Sequence, residues 1–302
     1  MTHDARRAYL WACALDVIVR KPGNVSFASA GHGMFAAQFV TSANVSADAL
    51  FEPGVSVGTR VEGAIKATRA AVECNTNLGI VLLCAPLAAA FESERRPRLA
   101  ELRTRLGATL ARLDLDDTRA TYRAIALANP GGLGAAAQQD VRDAPTMGLR
   151  AAMHLASNRD RVARQYGNDF AEIFDLGLPE VMHYAAEPGT AILACYLAFL
   201  ASAPDSHIVR KHGAALAHTV TEDARTLFDA WRTSDKVPPA DAVAAWDERL
   251  KEAGLNPGTS ADLAVASAFV AAMLDPRLSE VPLPGMAWNV LNSSPTLTRL
   301  SG

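Results

Sequence analysis

Near the C-terminal end of the chain, Asn256-Pro257-Gly258-Thr259-Ser260-Ala261-Asp262-Leu263 runs directly into an apolar stretch, Ala264 to Leu274. An amide, two hydroxyls and a carboxylate gathered at a helix start, where backbone N–H groups lack intrahelical partners, suit a phosphorylated ligand. Two upstream turns share this character. Lys21-Pro22-Gly23-Asn24-Val25-Ser26 and Asn129-Pro130-Gly131-Gly132-Leu133-Gly134 also lie between long Ala/Leu-rich segments. Three such turns on one helical chain predict a single pocket.

Proline and glycine fix the first turn and would hold Lys21, Asn24 and Ser26 at the mouth of a cleft, where a lysine can neutralise a phosphate. An ordinary helix-ending turn with a solvated lysine fits the same residues. At Gly131 and Gly132 the missing side chains would let backbone N–H groups approach a polyphosphate, or simply give a flexible loop. Asn75 and Asn77 flank Thr76 ahead of a strongly apolar segment. One is expected to cap that helix, leaving the other to read a ribose hydroxyl or a base edge. Asp140 and Asp143 could hold a magnesium ion, which commonly uses one or two protein carboxylates and keeps several waters. His32, between Gly31 and Gly33, has an accessible imidazole, although an isolated histidine can equally be structural. Asp262 has a structural explanation, complementing the helix macrodipole. Yet Asn256, Thr259, Ser260 and Asp262 place more polar side chains on one turn than a cap requires, which points to holding metal or reacting atoms.

Other patterns lead away from familiar sites. Gly31-His32-Gly33-Met34-Phe35-Ala36 matches G-x-G-x-x-G/A formally, but no buried strand precedes it. The chain has no G-x-x-x-x-G-K-[ST] loop and no H-E-x-x-H. Asp160 and Arg164 have the spacing of an exposed i,i+4 ion pair, and Arg210-Lys211-His212 reads equally well as a solvated helix face.

Taken in order, the Lys-Pro-Gly-Asn turn, Asn75-Thr76-Asn77-Leu78-Gly79, Gly-Gly-Leu-Gly with Asp140-Val141, and Asn-Pro-Gly-Thr-Ser-Ala-Asp-Leu resemble the triphosphoribosyl-dephospho-CoA synthase family, from about Leu15 to Leu274. In that family ATP gives its triphosphoribosyl group to dephospho-CoA and adenine leaves. The resemblance implies ATP as substrate with Mg²⁺, catalytic roles for His32, Asp140 and Asp262, and metal ligation by Asp140 and Asp262. It also implies that Arg164, Tyr166 and Lys211 join Lys21, Gly23, Asn24, Ser26, Asn75, Asn77, Gly131, Gly132, Asn256, Thr259 and Ser260 around the nucleotide. One departure is clear. The family form carries His-x-Asp-Met, whereas His32-Gly33-Met34-Phe35 has no acid, so that carboxylate's work must be done otherwise. A divergent enzyme of one-carbon carrier biosynthesis, of the tetrahydromethanopterin or methanofuran type, is the alternative activity. A non-catalytic nucleotide sensor is the alternative from another class.

These residues have to be positioned by helices. Ala, Leu and Arg dominate long stretches, and only 6% of residues are aromatic, so strand formers are thin and an all-α fold is expected. Predicted helices run over about 4–19, 33–44, 57–74, 77–91, 96–112, 117–128, 145–157, 159–175, 188–202, 206–232, 239–253 and 260–274. Pro145 and Pro188 suit first turns, Asp116 or Asp117 suits a cap, and so does Ser260. No Pro/Gly/Ser-rich linker divides the 302 residues, and one all-helical domain over 1–302 is expected.

Half of the residues are hydrophobic and 20% are charged, with a net charge of −3. That is ample material for a core and gives no footprint for a nucleic-acid partner. The apolar runs 78–91 and 190–203 fall short of the ~20 residues that span a bilayer, so no membrane partner is expected. Cys13, Cys74, Cys84 and Cys195 are widely spaced in apolar surroundings, which suits reduced thiols and a cytoplasmic location. Small-molecule nucleotide and cofactor-precursor substrates are the expected partners, and the sequence leaves a homodimer open.

Overall fold

The structure is a computed structural model that describes residues 2–92, 97–134, 136, 138–281 and 283. As expected, it is all-α. The first helices are α1 (Thr2–Ile18), α2 (Ala36–Leu50), α3 (Val57–Val72), α4 (Leu78–Phe91), α5 (Leu99–Ala111) and α6 (Leu115–Ala128). Short helices α7 (Leu149–Ala156), α8 (Arg161–Gly167) and α9 (Leu178–His183) follow, the last preceded by a π-turn at Ile173–Gly177. Then come α10 (Pro188–Ser202), α11 (Ser206–His212), α12 (Ala214–Ser234), α13 (Ala240–Glu252), α14 (Gly258–Leu274) and a 3₁₀ turn at Pro276–Glu280. Among the described residues the only β pairing is two isolated bridges, Ser26 with Ser29 and Gly31 with Met34.

A helix that is apolar on every side belongs in the middle of a fold, and α14 is that helix. From Thr259 to Met273 every residue is buried except Asp262. α14 packs against α1, α4 and α10, and its Phe269 sits 5.8–6.3 Å from the rings of Tyr9, Phe51 and Phe91. Such edge-on pairs contribute ~0.5–1.5 kcal/mol each beyond burial. A lone carboxylate interrupting the most buried helix is the first structural sign of a site.

Differences from the expected elements have local causes. The predicted helix 159–175 ends at Gly167 because Asp169 and Phe170 take left-handed φ of 55° and 61°, which drops Phe170 into the core with no exposure. The predicted 206–232 breaks at Gly213, with φ 89°. Residues 145–148 stay outside α7: Thr118 Oγ1 donates to the Met147 carbonyl at 2.8 Å and Leu149 N–H to the Asp114 carbonyl at 3.3 Å. Asp114, not Asp116 or Asp117, caps α6, since the Asp117 carboxylate accepts from Gly58 N–H at 2.7 Å. No single helix is long and apolar enough to cross a membrane among the described residues.

Candidate active-site cleft

A cavity of about 680 Å³ opens between the N-terminal ends of α4 and α14, the C-terminal end of α11, the 130–141 loop and α7–α8. Two sequence motifs that lie far apart in the chain form one wall. Gly23 N–H donates to Asp247 Oδ1 at 2.9 Å, and Asn24 Nδ2 to Asn256 Oδ1 at 3.1 Å. Gly23 has φ +78°, and a Cβ there would lie 2.8 Å from both the Leu255 carbonyl oxygen and Pro257. Only glycine lets the two turns close on each other.

His32 completes this wall. Its Nε2 lies 2.9 Å from the Gly23 carbonyl oxygen, an atom that can only accept, so Nε2 carries the proton and Nδ1 keeps a lone pair. Burial, with Lys211 and Lys251 nearby, lowers its pKa despite that hydrogen bond. The orienting role for which no acid follows His32 is filled by the carbonyl of a neighbouring motif. A second imidazole, His207, also lines the cavity. Burial, reinforced by Lys211 and Arg210, pushes its pKa down to about 3, so it too is neutral.

The floor is built of oxygen acceptors. Asp16, Asn24, Asn77 and Asp262 all line it, and the first three are 3–4% exposed. Asp262 rests against Gly79; among the described residues no hydrogen bond or contact ion pair reaches it, and the one cation acting on it from a distance is Arg210. Burial, then the like charges of Asp16, Asp205 and Asp160, raise its pKa well above the carboxylate range. Asn77 is the N-cap residue of α4, but it is Asn75 Oδ1 that accepts from the first helical N–H, that of Leu78, at 3.2 Å. Asn77 Nδ2 reaches Ser46 Oγ at 3.4 Å, and its Oδ1 accepts nothing.

Cations stand on the opposite side, where Arg159, Arg210 and Lys211 line the cavity. Arg210 is half engaged, donating to the Gly131 carbonyl at 3.0 Å and lying 3.3 Å from Asp160 Oδ2. Arg159 and Lys211 are exposed. A Cβ on Gly131 would meet Lys211 Cε at 2.7 Å, and one on Gly132 would meet Arg210 at 3.0 Å. These glycines therefore let the end of α11 settle onto the loop and bring its two cations to the cleft.

Several expected site residues lie elsewhere. Lys21 is fully buried. Its ammonium sits 3.1 Å from Asp16 Oδ1 and donates to the Asp16 carbonyl, so it neutralises an internal acid instead of a phosphate. Tyr166, with no exposure, donates to the Leu82 carbonyl at 2.6 Å. Arg164 bonds the Ser157 carbonyl and pairs with Glu172 at 3.5 Å, not with Asp160, which caps α8. Ser260 lies inside α14 instead of capping it, and its N–H and Oγ donate to Asp205 Oδ2 at 2.7 and 2.8 Å. Gly23 and Ser26 support the wall without lining it. Asp140 does line the cleft, but Arg142 grips it from Nε and Nη2 at 2.8 and 2.7 Å, and the amides of Ala136 and Arg142 donate to it at 2.7 and 3.0 Å. That carboxylate organises its own loop.

His32, Asn24, Asn75, Asn77, Gly131, Gly132, Lys211, Asn256, Thr259 and Asp262 are brought together as expected. Arg159, Asp160 and Arg210, from the two charged segments that read equally well as solvated helix faces, also line the cleft; Asp16 and His207 were not singled out, and an apolar side formed by Tyr122, Ile125, Val141 and Met153 was not foreseen. Asp16 lies in the last turn of α1 and Lys21 just beyond its end, and a lysine five residues from an acid at a helix end was the available signal.

A family model described as ATP:dephospho-CoA triphosphoribosyl transferase matches residues 2–280. A solved structure from Archaeoglobus fulgidus, provisionally named a triphosphoribosyl-dephospho-CoA synthase, is 21% identical, with a TM-score of 0.63 over 80% of this chain and 99% of that one. That likeness is one of fold. No curated protein sequence matches the chain.

Proposed function

The chain belongs to the ATP:dephospho-CoA triphosphoribosyl transferase family, and on that premise we propose that the cleft transfers the triphosphoribosyl group of ATP to a hydroxyl of dephospho-CoA with release of adenine. The observation that carries the assignment to this cleft is its polarity: the cations Lys211, Arg159 and Arg210 on one side, and a floor of carboxyl and amide groups that includes Asp262 on the other. The transfer breaks the bond from ribose C1 to adenine and forms a bond from C1 to the acceptor oxygen, while the acceptor's proton ends on adenine. Positive charge grows on the sugar between a polyanionic tail and a departing base, and each part has a complementary surface here. The family match favours this reading over the two alternatives.

Lys211, Arg159 and Arg210 hold the triphosphate. Asp262 and Asp16 face the sugar, and positive charge growing there favours the ionised form of Asp262, whose pKa burial otherwise holds high. His32, kept neutral and oriented by the Gly23 carbonyl, offers Nδ1 to the acceptor hydroxyl, and holding the two reactants together lowers the entropic barrier. The apolar side around Tyr122, Ile125 and Met153 suits a flat base.

A divalent cation, when bound, offsets phosphate charge. Asp140 does not fit as its ligand, because four donors already occupy its oxygens. Asp262 fits, since its oxygens have no internal partner. The buried thiols of Cys13, Cys84 and Cys195 are unpaired, which supports placing the enzyme in a reducing compartment such as the cytoplasm.

The test is mass spectrometry of ATP, Mg²⁺, dephospho-CoA and protein. A product heavier by triphosphoribose, formed with equimolar adenine, is expected. ATP consumed without adenine, or no turnover with dephospho-CoA, would refute this reading.

A further inference from the structure

Asp247 is fully buried, yet among the described residues none of its helix, α13, lines the cavity. Its Oδ1 accepts from Gly23 N–H at 2.9 Å. Its Oδ2 accepts from Lys251 Nζ at 3.0 Å and lies 3.8 Å from Arg20 Nε. A buried, fully engaged carboxylate is weak evidence for stability, since apolar side chains of similar volume often pack as well. What it holds is more telling. Gly23 carries on its other side the carbonyl that accepts from His32 Nε2 at 2.9 Å, so a single glycine separates the carboxylate from the imidazole's partner.

Lys251, one turn further along α13, grips the same segment nearer its other end. Its ammonium donates to the Ser29 carbonyl at 3.0 Å and to Ser29 Oγ at 2.7 Å, and a Cβ on Gly31 would lie 3.0 Å from its Cε. Just beyond, Gly31 and Met34 exchange backbone hydrogen bonds at 3.2 and 2.9 Å. That places His32, with φ 57°, and Gly33, with φ 75°, at the tip of a tight turn. Left-handed backbone is uncommon for a residue with a side chain and persists where the surroundings fix it. Here α13 does the fixing, from Gly23 on one side and from Ser29 and Gly31 on the other.

We propose that Asp247 and Lys251 are positioning residues for the transfer, which clamp the segment 23–31 from outside the cleft and so hold His32 where its Nδ1 meets the acceptor hydroxyl. The acid that does not follow His32 in the chain is supplied from α13, through Gly23. The clamp rests on the transferase reading for its use, since only there does the direction of Nδ1 matter. Asp247 also acts on His32 through its charge, against Lys251 on the same helix and Lys211 on α11, with His207 of α11 facing the same ring. Charge and seating predict opposite shifts. Losing the negative charge alone lowers the pKa of His32 further, whereas an imidazole released from its half-buried seat climbs toward the ordinary value of ~6.5.

The experiment is a ¹⁵N-histidine NMR titration of the full chain, with the His32 signal identified by its loss in His32→Gln, alongside the kinetics of adenine release. In Asp247→Ala the His32 pKa should rise toward ~6.5. Its kcat should fall about 100-fold, as for a reacting group misplaced by about 1 Å, while the KM for ATP stays within about threefold because the rim cations are untouched. Lys251→Met keeps an apolar stem against Gly31 and removes only the ammonium; its kcat should fall about tenfold with the same split. Glu248→Gln, on the exposed side of the same helix, should match the wild type in every readout. A His32 pKa that falls or stays put in Asp247→Ala would overturn the proposal, and so would a wild-type kcat there or a loss confined to KM. Should Asp247→Ala not fold, Lys251→Met decides by the same criteria. The two readings fail separately. The titration needs no turnover, so a wild type that releases no adenine refutes the transferase and leaves the seating of His32 to be read from its pKa; adenine release with an unmoved His32 in both variants does the reverse.

Discussion

The carboxylate of Asp262 can be displaced without altering Asp262 itself. Gly79 is the second residue of α4, and an ideal Cβ built on it lies 2.0 Å from Asp262 Oδ2 and 2.6 Å from its Cγ. Since real contacts stay beyond about 3 Å, Gly79→Ala must push the carboxylate by roughly 1 Å. A misplacement of that size at a reacting centre costs on the order of 100-fold in rate. Stability should hardly register the change. Alanine in a helix gains about 0.5–1 kcal/mol over glycine, and the side chain of Asp262, forced off its rotamer, gives back about 0.5–1.5 kcal/mol. The near cancellation leaves the melting temperature within about 4 °C of wild type. Adenine release and a thermal melt of the same preparation provide the check. Turnover within threefold of wild type would show that the position of this carboxylate is immaterial to the reaction. A collapse in melting temperature would place Asp262 among the packing groups.

The other expectations concern the rim and pH. Lys211→Ala removes an exposed cation that supports nothing else, so the KM for ATP should rise about tenfold, as for loss of one charge-assisted hydrogen bond. The effect should shrink at high salt while the melting temperature holds; an unchanged KM at low ionic strength would move the triphosphate elsewhere. For His207 the sign follows from its depressed pKa of about 3. Below pH ~6.5 the unfolded chain binds a proton there that the native state refuses, so this residue costs stability progressively as pH falls from ~6.5 toward 3. Denaturant titrations from pH 7.5 to 5 should show a shallower decline in His207→Gln than in wild type, and parallel curves would contradict the assignment.

Much of the architecture was legible because Ala/Leu segments with few β-branched residues leave little alternative to helices, and α10 and α4 fall almost where the spacing puts them. What escaped was decided by contacts distant in sequence. The break at Asp169 and Phe170 exists because a phenylalanine is drawn into the core against the helical pattern. The late start of α7 depends on Thr118 and Asp114, which no local rule connects to Met147.

The site divides along the same line. Motifs that announce themselves by glycine, proline and asparagine did converge, since such residues mark turns, and turns at helix ends are where a helical fold can build a cleft. Charged residues were harder to place. Lys21 and Asp140 both read as ligand contacts from sequence, yet each is consumed by an internal partner, Asp16 and Arg142 respectively. Asp262 is the opposite case: an acid with an ordinary macrodipole explanation that turns out to have no partner. A charge in sequence carries no mark of whether it will be compensated. Compensation is a property of the packed structure, and in this cleft the uncompensated groups, Asp262 below and Lys211 and Arg159 above, are those left free to meet a substrate.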